Sequence, residues 1–275
     1  METAGEANIK VFHSRRRLLF TYIRWISVLK LRKLLIRRDR WVLSRTACLG
    51  NDAFSLLPSH SKLFRFNMQK VRSDVLLGGS QRKYRAIRLT KFINRPDIAP
   101  LIWAQFQLNI YNKPRPAFIL FDSFSDLTDI QFKDIKTKAN FACHKSDLTD
   151  QAIFRGRLSN LGLLPLEGLM PLYEEIFQKF QEVWAGVQII YIHYPILFEK
   201  RPYLIKRAAD IELVIDFLSD INPDLHSIKV PNELVSPKVL PDGNLSSFPY
   251  HYSCETSNYV SQQIKSILNR NIPTL

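Results

Sequence analysis

Continuous apolar runs alternate with stretches of helical period along most of this chain. Ala117–Phe121 (AFILF) is a continuous apolar run and Gly186–Tyr194 (GVQIIYIHY) reads as a second buried strand, the pattern of strands in a parallel sheet covered on both faces. Lys62–Met68 (KLFRFNM) alternates apolar and polar residues, which predicts a half-buried strand. Pro171–Ala185 gathers Leu172, Ile176, Phe180 and Val183/Trp184 on one side and stops at Gly186, predicting an amphipathic helix. The strand at Gly186–Tyr194 is followed by a helix over Tyr203–Asp220, a short strand at Ser227–Val230, a loop at Leu240–Tyr252 (LPDGNLSSFPYHY) and a final helix over Ser253–Asn269. This succession predicts an open α/β sheet. It puts His251 at the carboxyl ends of the strands, where such sheets bind ligands.

Other segments carry weaker patterns. Trp41–Leu49 (WVLSRTACL) reads as a strand entering a turn at Gly50-Asn51-Asp52, with a short helix from Ala53. Val71–Gly79 is a short apolar run stopped by two glycines, and Leu89–Tyr111 reads as mainly helical after Pro96. Asp129–Arg157 is polar and charge-mixed without a strong period, so it is expected to pass over the top of the sheet as an excursion. Nothing resembling a linker divides residues 46–275, which predicts one α/β domain behind a basic extension, residues 1–45.

Charge changes the picture chiefly at the start. The net charge is +14, but residues 1–45 hold twelve Lys/Arg against Glu2, Glu6 and Asp39, a net +9 that leaves +5 for the rest. The basic signal belongs to the leader, and a nucleic-acid-binding role for the whole chain is disfavoured. Within it, Leu18–Ile36 is interrupted by Arg24, Lys30, Arg32 and Lys33, too many charges for a spanning helix. Leu18, Tyr22, Trp25, Ile26, Leu29 and Ile36 share one side, so residues 10–45 are expected either to make peripheral contact with an anionic membrane or to pack on the domain. Met1–Asn8 carries two glutamates and no arginine, so no signal peptide is expected. The three cysteines, Cys48, Cys143 and Cys254, have no zinc spacing and form no disulfide framework, which fits a cytoplasmic setting. No phosphate-loop or dinucleotide glycine motif and no metal-binding motif is present, so no cofactor is expected.

Four blocks of the chain, TACLGNDAF (Thr46–Phe54), FRFNMQKVRSDVLL (Phe64–Leu77), AFILFDSFSD (Ala117–Asp126) and DGNLSSFPYHY (Asp242–Tyr252), together resemble the SGNH/GDSL hydrolase-like proteins of bacterial polysaccharide and capsule loci. That family has a first-strand motif close to G-S-C-x-x-R-D, a later strand ending in an acidic residue, and a motif ending in F-H-Y before the last helix. The resemblance runs over most of residues 42–268. It implies a flavodoxin-like, SGNH-type parallel sheet with flanking helices. It also implies a cytoplasmic esterase or O-acyltransferase acting on a cell-surface polysaccharide or its precursor, peripheral to the inner membrane if residues 10–45 contact lipid.

By the same resemblance His251 is the general base, a role that suits imidazole because it titrates near neutrality. The acidic residue that orients such a histidine stands three positions before it in the family. Here that position is Phe248, and Asp242 would serve only if the loop folds back. The family's serine falls on Ala47, with Cys48 next to it and Asp52 matching the motif's aspartate. Three readings stay open: a non-catalytic relative that binds a glycan or partner, Cys48 as the nucleophile, or a true block at DVLLGGSQ (Asp74–Gln81) with Ser80 as the nucleophile. Asp52, Arg72, Asp122, Tyr250 and Tyr252 are the candidate substrate-binding residues. Each has a plainer reading: a buried thiol at Cys48, a glycine turn before Ser80, a helix cap at Asp122, and packing of the last helix by the tyrosines. His193, inside an apolar strand, is expected to be a satisfied core histidine.

Overall fold

The computed structural model describes residues 41–59, 62–78, 92–95, 97–107, 110–149, 156–246 and 248–271. Most of the basic leader, including Leu18–Ile36, and also Ser80 lie outside the described residues.

Five strands pair in parallel: β1 (Trp41–Arg45), β2 (Phe64–Asn67), β3 (Ile119–Asp122), β7 (Ile189–Ile192) and β8 (Leu225–Ile228). Their spatial order is β2-β1-β3-β7-β8, in which the chain starts inside the sheet, steps to one edge and returns to build the other half. This is the flavodoxin-like order, and its switch point lies between β1 and β3. The three inner strands, β1, β3 and β7, are wholly buried, as runs such as ILFD require when helices cover both faces. The helices are α1 (Cys48–Ser55), α2 (Ser73–Leu77), α3 (Ala99–Ala104), α4 (Phe124–Thr128), α5 (Leu169–Val183), α6 (Pro202–Ile221) and α7 (Cys254–Asn271). They pack in two groups, α1 on α7, and α2 and α6 on α5, as a doubly wound sheet needs.

Two expectations are corrected here. Trp41–Arg45 is not the end of a leader: β1 is an inner strand with Trp41 fully enclosed, so the α/β domain includes residues 41–45. Arg45, counted among the leader cations, is 1% exposed and paired with Asp126 at 2.8 Å.

Residues 129–157 are also more than an irregular excursion. β4 (Ile130–Asp134), β5 (Asn140–Cys143) and β6 (Leu158–Gly162) form a three-stranded antiparallel sheet in the order β5-β4-β6. Phe132, Phe141, Cys143 and Leu158 form one side of a second apolar cluster; Ile102, Trp103 and Phe106 from α3 and the turn after it supply the other. Half of this core comes from some thirty residues earlier in sequence, which is why no local period announces it. The run Val71–Gly79 contains the helix α2, and the helical stretch expected over Leu89–Tyr111 is α3 followed by single 3-10 turns at Gln105–Gln107 and Ile110–Asn112.

Buried charges join the two sheets. Lys70 bridges Asp129 at 3.1 Å and Asp147 at 3.2 Å, and Arg72 donates to the carbonyls of Asp129 and Gly162. No described helix is long and apolar enough to cross a membrane.

Candidate functional site

β1 ends at Arg45, and after two intervening residues α1 begins at Cys48, so the thiol stands at the carboxyl edge of the sheet on a helix N-terminus. Asn67, at the end of β2, holds the connecting turn. Its side-chain oxygen accepts from the Thr46 N–H and the Ser44 hydroxyl, both at 3.1 Å, and its amide donates to the Thr46 carbonyl and Asn51. Gly50 lets the helix lie this close: a Cβ there would sit 2.5 Å from Thr46 Cβ, well inside van der Waals contact.

Asp122 ends β3 on the other side of the switch point. Its Oδ2 accepts the Ala47 N–H at 2.6 Å and its Oδ1 the Phe124 N–H at 3.1 Å. Burial pushes its pKa up to about 7, against the lowering influence of those N–H groups and Arg45. The Leu49 N–H donates to Tyr194 Oη at 2.9 Å. Two of the backbone N–H groups over residues 47–50, which a helix start could otherwise offer to an oxyanion, are thus committed to protein oxygens.

The Cys48 thiol is exposed, and its pKa is raised above that of an ordinary thiol by desolvation and by Asp52 and Asp122, with Lys238 opposing them. A raised pKa leaves little thiolate at neutrality. Alkylation of Cys48 by iodoacetamide is therefore expected to be slow at pH 7 and to climb with pH past 9.0, the ordinary value. Asp52→Asn should move the curve to lower pH. A rate already level at pH 7, followed by peptide mass spectrometry, would contradict this electrostatic description.

His251 lies in the loop before α7, held by the Lys238 N–H donating to its carbonyl at 2.9 Å. Its Nδ1 is 3.3 Å from Ser246 Oγ and its ring lies 4.7 Å from that of Phe248. Burial, then Lys238, lower its pKa while Asp52 raises it, so the ring is neutral at pH 7, the form a general base needs. Asp52 and Lys238 act electrostatically on both His251 and Cys48, so the thiol and the imidazole share two charged neighbours. No hydrogen bond joins them in this structure.

Other candidates serve elsewhere. Asp242 does not orient His251: it is fully exposed, and its carboxylate accepts from the Asn244 N–H and side-chain amide, both at 3.0 Å. Ser246 stands where that orienting group was expected. Arg72 is not available to a substrate, being enclosed and paired with Asp74. Tyr250 donates to Glu199, and Tyr252 to the Pro195 carbonyl at 2.6 Å, so both tie the last loop to the segment after β7. His193 is the buried, satisfied histidine expected, with Nε2 2.9 Å from Ser227 Oγ. Asn67 and Ser246 were not singled out from sequence, although Asn67 stands in the quoted block FRFNMQKVRSDVLL; nothing local in either segment marks the contacts they make.

These features define a flavodoxin-like α/β protein with a thiol, two carboxyl groups and a neutral imidazole around its topological switch point. No protein-family model matches the chain, and no curated protein matches its sequence.

Proposed function

We propose that this protein is an SGNH-like acyl-transfer enzyme, an esterase or O-acyltransferase acting on a cell-surface polysaccharide or its precursor, with Cys48 as nucleophile and His251 as base. The observation that carries this reading is the position of Cys48, heading the first helix at the carboxyl end of β1, with Asp52 and Lys238 as charged neighbours that it has in common with His251. In the reaction, His251 takes the proton from Sγ as sulfur attacks the ester carbonyl. The tetrahedral intermediate expels the alcohol, which leaves with the proton held by the imidazolium, and a Cys48 thioester remains. Water or a sugar hydroxyl, deprotonated by the same imidazole, then releases the acyl group. The reaction requires His251 to approach Cys48 when substrate enters, since catalytic hydrogen bonds commonly tighten only in the complex. In this reading the enzyme is cytoplasmic and the basic residues that precede β1, within segment 10–40, give it a peripheral contact with the inner membrane.

A second reading, a non-catalytic glycan-binding relative, is favoured by Ala47 at the family's serine position, its N–H held by Asp122. Hydrolysis of p-nitrophenyl acetate separates the two. Turnover that is lost in Cys48→Ala and kept in Ser80→Ala supports the thiol mechanism; the reverse pattern moves the nucleophile to Ser80. No turnover above the uncatalysed rate favours the binding protein.

A further inference from the structure

Beside His251 a cleft of about 510 Å³ opens between the two sheets, walled by the loop after β7, the loop before α7, the start of α4 and the turn after β5. We propose that it binds a sugar carrying an anionic group, a phosphate or a carboxylate. The inference stands on the lining of the cleft and does not depend on Cys48.

The volume lies within the roughly 300–1,000 Å³ of small-molecule sites. One wall is aromatic. Phe124 and Phe248 meet Tyr250 edge-on, with ring centroids 5.3 and 5.6 Å apart, and Phe248 is 44% exposed. An exposed ring of this kind offers an apolar surface to the C–H face of a sugar, while a bare inorganic anion would gain nothing from it.

The adjoining wall, joined to the aromatic one by the Tyr250–Glu199 hydrogen bond, carries the cations, and its carboxylates are already satisfied. Glu199 is held by Arg201 through Nε and Nη2, each at 2.7 Å, and by the Tyr250 hydroxyl; these partners hold its pKa down to about 2. Asp147 is shared by Lys70 at 3.2 Å and Arg95 at 3.8 Å. Lys200 lines the same space, and its ammonium makes no hydrogen bond or ion pair with any described residue. An ammonium with no ion pair among the described residues, beside the Arg201 guanidinium, is a receptor for a negative oxygen. The aromatic wall and this cationic wall together select a ligand with both a ring and a charge.

Isothermal titration calorimetry on the full chain with glucose, glucose 1-phosphate, glucuronate and inorganic phosphate tests the proposal. Glucose 1-phosphate or glucuronate is expected to bind at least about tenfold more tightly than either glucose or phosphate. Lys200→Ala should bring the charged sugar down to the level of glucose. Phe248→Ala should weaken every sugar and leave phosphate unchanged. Both side chains are exposed, so neither change removes core packing. Cys48→Ala should bind as the wild type does, so that a dead catalytic site and an absent sugar site give different results. Binding of glucose as tight as that of its charged derivatives, binding of phosphate as tight as that of glucose 1-phosphate, no binding by any of the four, or no effect of Lys200→Ala would each overturn the proposal.

Discussion

Asp126→Ala is expected to lower the unfolding free energy by about 3–5 kcal/mol, the cost of leaving a buried charge without its partner. Arg45 and Asp126 are both enclosed, and their 2.8 Å contact is the centre of a network beneath the switch point. Arg45 also donates to the Val71 and Asp122 carbonyls and to Ser73 Oγ, and its guanidinium lies 4.7 Å from the Phe121 ring centre. Asp126 accepts from the Ser73 N–H and hydroxyl and from the Tyr173 hydroxyl. Against a typical total of about 5–15 kcal/mol, the loss is large enough to leave much of the population unfolded at 37 °C. The urea midpoint measures it directly, and a change below about 1 kcal/mol would mean that the network does not hold the fold together.

The two carboxyl groups at this end of the sheet act oppositely with pH. Burial pushes the Asp126 pKa up, but Arg45 and the Ser73 donors outweigh it and the net shift is downward. Its stabilisation is therefore present above the ordinary 3.8 and is lost as the pH falls through the depressed folded value. Asp122 is raised to about 7, so its contribution is full below 3.8 and is lost as the pH rises through 7.

His251→Ala is expected to reduce kcat/KM for the ester by about 10²–10⁴-fold, the usual contribution of a positioned general base. The pH profile gives a signature that a merely structural histidine would not. Because desolvation and Lys238 favour the neutral ring, the acid limb of the wild-type profile should fall below the ordinary imidazole value of 6.5. The variant should lack that limb. Asp242→Ala should leave activity unchanged, since its carboxylate is fully exposed and bonded to Asn244. An unchanged kcat/KM in His251→Ala would remove the histidine from the mechanism.

The central strands were legible because residues buried on both faces must be mainly apolar, as Ala117–Phe121 and Ile189–Ile192 are, and the edge strand β2 because its half-buried residues alternate. The long helices α5, α6 and α7 were legible for a related reason: each needs one apolar face at the helical period. The antiparallel sheet escaped because its apolar positions are few and pack on residues brought from α3. Charges misled in the opposite direction. Arg45 and Arg72 read as surface or ligand-facing cations, and only tertiary partners such as Asp126 and the Gly162 carbonyl reveal that they are interior. The placement of His251 followed from element order, whereas its neighbour Ser246 depends on how the loop closes. The cleft draws on segments from Lys70 to Tyr250, so no single stretch carries its signature.

The most direct test of the central claim is the intact mass of the protein quenched in acid during turnover of an aryl acetate, followed by peptide mapping. The thiol mechanism predicts an added acetyl group on Cys48, removed by hydroxylamine and absent from Cys48→Ala. An acetyl group mapped elsewhere, or turnover without any adduct on Cys48, would contradict it.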